Sequence, residues 1–247
     1  MDATLLAFCA VMSAAYAIQT VAGFGSMLFC VTIGAQLIGV QEVLTLAVPV
    51  SILQSAYILV RDHRHVNWRL LLTRVLPLLA LGMALPLTFF DGSEVESLRP
   101  AFGVMVLLLA VRELWLMRKR REPVPARAPL GPVPFAASTA GAGFVHGIFA
   151  TGGPLLVYAL GRLNLGKTTF RATLAVVWLL LNIVLVISYV HAGHYGAREI
   201  TALPWAVASL PLGIVVGEFV HHRVDELRFR TLAWALLAIA AVPLILR

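Results

Sequence analysis

Two runs of small residues carry most of the chemistry open to this sequence: Ala22-Gly23-Phe24-Gly25-Ser26 and Ala150-Thr151-Gly152-Gly153-Pro154. Glycine lets a chain turn sharply and lets another group come close to its backbone. A helix beginning just after such a turn, near Ser26 or Gly153, leaves its first amide N–H groups without intrahelical acceptors. Pro154 suits that first turn, where its missing N–H costs nothing. An oxyanion is a natural acceptor for these donors, helped by the positive end of the helix dipole. Glycines in apolar helices also serve simply for close packing, and the sequence leaves both readings open.

Polar side chains gather at the same places. Gln19, Thr20, Gly23, Gly25 and Ser26 surround the first turn, and His146, Thr151, Gly152 and Gly153 the second. Together with Asn182 they form the candidate substrate-binding set. Asn182 and Gln54 sit near the middle of apolar runs, where an unpaired amide is costly, so each bonds a neighbouring helix or lines a substrate path. His146, about one turn before the second tip, can donate to an anion or carry a proton. Arg74 and Arg171 join Gln54 as secondary candidates, although both lie close enough to the ends of their runs to snorkel. Gly82 lies outside both turns, and its replacement by alanine is expected to leave anion binding nearly untouched.

Catalysis finds little support. No Asp, Glu, Lys or Arg occurs between residues 3 and 41 or between 128 and 161, so the turns lack acid–base partners, and Ser26 and His146 lack an orienting acid. Cys9 and Cys30 are far from metal-type spacing, and no Gly-Lys-Ser/Thr phosphate loop is present. Neither a metal nor a cofactor is expected.

The elements that must position these groups are apolar. Of 247 residues, 60% are hydrophobic and 13% charged, about half the charge of a soluble domain. The net charge of +7 sits in short loops between apolar runs, which points to a lipid bilayer and away from nucleic acid. Ten apolar segments are expected: 3–22, 26–40, 43–60, 69–90, 98–117, 135–150, 153–165, 168–190, 199–220 and 227–246. Between the two sets of five lies a basic, proline-rich stretch. The chain therefore divides into a first membrane repeat (1–117), a cytoplasmic linker (118–134) and a second repeat (135–247), forming one membrane domain. A shift of 131 residues lays Gly82 on Gly213, His63 on His194, Glu94 on Asp225 and Arg99 on Arg230, as an internal duplication would.

Basic loops mark the cytoplasmic side. By that rule, Arg61–Arg69, the Arg118–Arg127 linker, Arg162–Arg171 and Arg223–Arg230 lie inside, and both termini lie outside. The sides alternate only if 3–40 and 135–165 each return to the side they entered from. A helix over 153–165 covers about 20 Å, short of the roughly 30 Å hydrocarbon core. The expected fold is thus an all-α integral membrane protein of two inverted repeats, each a re-entrant or short helical hairpin followed by three transmembrane helices. Two hairpin tips entering from opposite faces would supply one midplane anion site. A saturable carrier and a passive channel both fit such a site, and a carboxylate would fit as well as another small anion. Oligomeric state is not legible.

At the turns, Gly23-Phe24-Gly25-Ser26 and Gly147-Ile148-Phe149-Ala150-Thr151-Gly152-Gly153-Pro154, the chain resembles the sulfite exporter TauE/SafE family of bacterial membrane proteins. The paired halves and the linker extend that resemblance over essentially the whole chain. Ser26 and Met27 depart from the fuller glycine triplet usual at the first turn. The resemblance implies a secondary transporter in the bacterial inner membrane, exporting sulfite, sulfoacetate or a related organosulfonate.

Overall fold

Each apolar run becomes a helix, for the reason periodicity alone does not give: inside lipid, backbone polar groups must be satisfied within their own segment. The computed structural model describes residues 3–22, 24–89, 94–119, 129–163, 165–221 and 226–246, and contains only helices and turns over them. The helices are α1 (Ala3–Ala22), α2 (Ser26–Ile38), α3 (Val40–Asp62), α4 (Trp68–Leu70), α5 (Leu76–Phe89), α6 (Glu94–Ser97), α7 (Arg99–Lys119), α8 (Pro132–Phe149), α9 (Gly153–Leu160), α10 (Lys167–His191), α11 (Ala197–His221) and α12 (Glu226–Leu246). A π-turn, Leu71–Val75, joins α4 to α5 as one apolar stretch. Gly23 and residues 120–128 of the linker fall outside the described residues.

Six helical stretches are long and apolar enough to cross a membrane, among the described residues: Ala3–Thr20, Val40–His65, Trp68–Phe89, Arg99–Arg118, Thr168–His191 and Ala197–Phe219. The six include α1, which the sequence assigned to a hairpin. By contrast α9 has eight residues, about 12 Å of helix, and cannot span the bilayer.

The chain forms two compact units, each drawing on both halves of the sequence: Met1–Val43, Gly92–Pro125 and Thr201–Arg247 in one, Leu44–Asp91 and Ala126–Ile200 in the other. In the first unit α1 packs on α2, and α12 packs on α7 and α2. Gly213 and Gly217 of α11 lie one turn apart against α1; a β-carbon on them would stand 2.6 Å from the Ser13 carbonyl oxygen and 2.6 Å from Thr20 Cβ respectively. Ser13 Oγ also donates to the Ser209 carbonyl, 3.1 Å away. The Glu96 carboxylate accepts from Val40 N–H at the start of α3 (3.2 Å), the end where the helix dipole favours an anion.

The second unit repeats the device. Gly143 and Gly147 of α8, again one turn apart, face α5, and Gly82 of α5 faces α8. A β-carbon at Gly82 would sit 1.9 Å from the Ala140 carbonyl oxygen, and one at Gly143 would sit 2.2 Å from that of Leu79. Lipid is as apolar as leucine, so apolar burial does not hold these helices together. Backbone approach at small residues does. Gly82 is therefore a packing residue.

Polarity runs inward. Asn182 on α10 is buried while Ile183, Val184 and Ile187 are exposed, and Ser51, Gln54 and Ser55 on α3 are buried while Leu53, Tyr57 and Val60 are exposed. Exposed aliphatics on spanning helices are the lipid-facing surface. Trp68, Trp115 and Trp205 are about half exposed, as interfacial residues would be.

Candidate functional site

The second turn lies in the unit built from 44–91 and 126–200. α8 ends at Ala150, whose φ of 52° and ψ of 24° place a non-glycine residue in the left-handed region. That conformation costs an L-residue roughly 1–2 kcal/mol, and it is where the chain reverses. Gly152 has an ordinary φ of −74° and caps α9. Its small size serves proximity instead: a β-carbon there would lie 2.1 Å from the Ala142 carbonyl oxygen and 3.2 Å from His146 Cβ. Ser138 Oγ donates to the Leu155 carbonyl at 2.8 Å, tying the two arms together. The α9 start is consequently held tightly against the last turns of α8.

At that start the N–H groups of Gly152, Gly153 and Leu155 have no intrahelical acceptor, and Pro154 has no N–H. Gly152, Gly153 and Thr151 are all buried. His146 sits beside them, 1% exposed, with its ring stacked on Trp178 at 5.5 Å between centroids. Trp178 and Asn182 are one turn apart on α10. Asn182 Nδ2 donates to Ser51 Oγ of α3 at 3.2 Å. The Asn182 side chain is close enough to interact with the imidazole. Even so, neither ring nitrogen has a partner at hydrogen-bond geometry, nor does Asn182 Oδ1. Unsatisfied buried polar atoms are rare in folded proteins and call for an explanation.

The first turn lies in the other unit. Gly25 caps α2 with φ 106°, a conformation glycine adopts without strain, and open space surrounds its missing β-carbon. Here a side chain already occupies the helix start. Gln19 Oε1, buried, accepts from Ser26 N–H (3.2 Å) and from the Ser26 hydroxyl. Thr20 donates to the Tyr16 carbonyl at 2.8 Å and packs against Gly217. The two glycine runs thus differ: the first makes its turn at a glycine, the second at an alanine with glycine reserved for contact.

The secondary candidates lie elsewhere. Arg74 is exposed on the π-turn. Arg171 donates through Nε (3.1 Å) and a terminal nitrogen (2.5 Å) to Asp62 Oδ2, joining α10 to the end of α3. Gln54 is buried one turn from Ser51. Trp178 and Ser51, which orient His146 and Asn182, were not singled out from the sequence. Their signal is the one-turn spacing to Asn182 and Gln54.

A multi-pass helical protein, apolar outward and polar inward, with the donors of a helix start buried inside it, has the make-up of a membrane transport protein. The chain matches the family described as Sulfite exporter TauE/SafE over residues 7–244 and belongs to it. It is thus a membrane transporter of a family that exports sulfite and related sulfur compounds. Neither the curated proteins nor the solved structures give a significant match.

Proposed function

We propose that this protein is a secondary transporter that exports a small sulfur oxyanion (sulfite, sulfoacetate or a related organosulfonate) across the bacterial inner membrane. The observation that carries the reading is the buried start of α9 beside His146 and Asn182, whose ring nitrogens and amide oxygen lack partners. Three convergent N–H donors at a helix start suit negative oxygens in low dielectric. Thr151 would add a hydroxyl donor, and the first turn, by its own helix start at Gly25 and Ser26, would offer similar N–H donors once Gln19 moves aside.

The proposal includes an inverted duplication. What supports it is that Gly82 and Gly213, 131 residues apart, each meet a carbonyl of a hairpin's first arm, Ala140 and Ser13. Ser51 and Asn182 are also 131 residues apart and bond each other. Residues related by a two-fold axis touch only near that axis, so a pair at the repeat offset is what such symmetry would produce.

The test is flux of labelled sulfite into proteoliposomes. Saturation and counterflow are expected. Linear, non-saturating flux without counterflow would make the protein a channel. Thr151→Ala should weaken sulfite affinity about tenfold to a hundredfold, the worth of about 1.5–3 kcal/mol for a bond to a charged group. Unchanged affinity would remove Thr151 from the site.

A further inference from the structure

We infer that the α9 site takes a monoanion that still carries a hydrogen to donate, bisulfite rather than the sulfite dianion. The inference rests on the reading of the α9 start as the transport site and adds the protonation state of its cargo. A neutral imidazole presents one N–H and one lone pair, and an amide oxygen presents lone pairs only. On His146 and Asn182 the atoms without a partner, Nδ1 and Nε2 of the ring and Oδ1 of the amide, therefore amount to one donor and two acceptors. Asn182 Nδ2 is committed to Ser51. If the ring N–H turns to Asn182 Oδ1, the second ring nitrogen is still a bare acceptor. If it does not, two acceptors are bare. Either way the ligand must bring at least one hydrogen.

Beside His146, whose Cβ lies 3.2 Å from where a β-carbon on Gly152 would stand, the α9 start offers donors only, which suit deprotonated oxygens. The ligand therefore needs both faces at once: S–O⁻ oxygens toward the amides and an O–H toward the ring. Bisulfite has both, whereas sulfite dianion has no hydrogen. Charge argues the same way. No Lys, Arg, Asp or Glu occurs in α5, α8 or α9; on α10 the charged residues are Lys167 and Arg171, near its start, and on α3, which carries Ser51, they are Glu42, Arg61 and Asp62, near its ends. Arg171 is bonded to Asp62. Desolvation cost grows with the square of the charge, so a dianion would pay about four times the Born penalty of a monoanion with no cation beside it.

The experiment titrates purified full-length protein with sodium sulfite, by a thermal-shift or calorimetric readout. The series runs from one pH unit below the acid constant of bisulfite to two above it. Methanesulfonate, a fixed monoanion with no hydrogen to donate, is titrated in parallel. Apparent sulfite affinity should fall with the bisulfite fraction, about tenfold per unit on the alkaline side. Methanesulfonate should bind at least tenfold more weakly than bisulfite, at a strength that does not change with pH. Asn182→Leu, which removes one acceptor, should narrow the gap between the two ligands if it folds; the wild-type comparison stands if it does not. Sulfite affinity that is flat with pH, or methanesulfonate binding as tightly as bisulfite, would overturn the proton requirement while leaving the site in place. Parallel loss of both ligands with pH would mean that the protein titrates, which also overturns it. If neither ligand binds at any pH, the underlying reading of the α9 start fails instead.

Discussion

Replacing Gly82 with alanine places a methyl group 1.9 Å from the Ala140 carbonyl oxygen, 2.7 Å from its carbon and 3.0 Å from Phe144 N. Ordinary contact begins at 3.4 Å, so α5 and α8 must part by about 1.5 Å at their crossing. The group in the way is main chain and cannot rotate aside. Overpacking usually costs about 1–3 kcal/mol, and a rigid neighbour belongs at the upper end, near 3 kcal/mol. For a chain of this size that corresponds to a fall of about 10 °C in melting temperature. The measurement is thermal unfolding in detergent, followed by loss of the monodisperse size-exclusion peak, across four glycine-to-alanine variants. Gly82→Ala should lose most. Gly213→Ala comes next, with the Ser13 carbonyl oxygen at 2.6 Å. Gly103→Ala follows, because its nearest neighbours, Ile245 Cγ1 and Leu244 Cβ, stand at 2.9 Å and the first of them can rotate away. Gly141→Ala, whose nearest atom is Leu155 Cδ1 at 3.6 Å, is the control. If Gly82→Ala melts with Gly141→Ala, the close α5–α8 crossing is not present in the membrane protein and the packing argument falls with it.

The two turns should respond oppositely to small side chains. Gly25→Asn should be milder than Gly25→Ala, which should cost about 1–2 kcal/mol, because φ is 106° there and the space is open. Asparagine and alanine at Gly152 should both disrupt the fold, since any β-carbon meets the Ala142 carbonyl oxygen at 2.1 Å; equal tolerance at the two sites, read by the same melts, would contradict this. Arg171→Met should destabilise more than Asp62→Asn, by about 1–2 kcal/mol, because it strands a carboxylate whose side chain is 10% exposed, whereas Arg171 at 30% can reach water. A double-mutant cycle showing no coupling would dissolve the pair.

Helix positions were legible because polar interruptions are conspicuous in an apolar chain. Thirteen residues were expected in the segment from Gly153, and α9 has eight. Gly161, Arg162 and Asn164 already interrupt the apolar run there, and the chain turns at Gly161–Leu163, where Leu163 N–H bonds the Leu160 carbonyl. The glycines were legible as important but not as to why. Whether one supplies a left-handed φ, as Gly25 does, or admits a neighbouring carbonyl, as Gly82 and Gly152 do, depends on a partner in another segment or another turn. Ala150 shows the converse: a left-handed residue that its type conceals. Trp178 was invisible for a related reason, since every face of α10 is apolar except at its few polar positions. His146 and Asn182 were found by that very polarity.

Lipid removes the usual division of labour between a hydrophobic inside and a polar outside, and this changes which residues specify the fold. Leu81 and Leu79 are both leucine on α5, one exposed to 68% and the other fully buried, and nothing in their chemistry separates them. What separates them is Gly82 and the glycines of α8, which decide the face on which α8 can come close. That crossing holds His146, four residues from Ala142, against the turn that opens α9. Four small residues, Gly82, Gly143, Gly147 and Gly152, thus set the position of the imidazole relative to the α9 amides. A substitution at Gly82, one helix removed from the turn, should consequently alter anion affinity at the proposed α9 site as well as stability, although residue 82 is not part of that site.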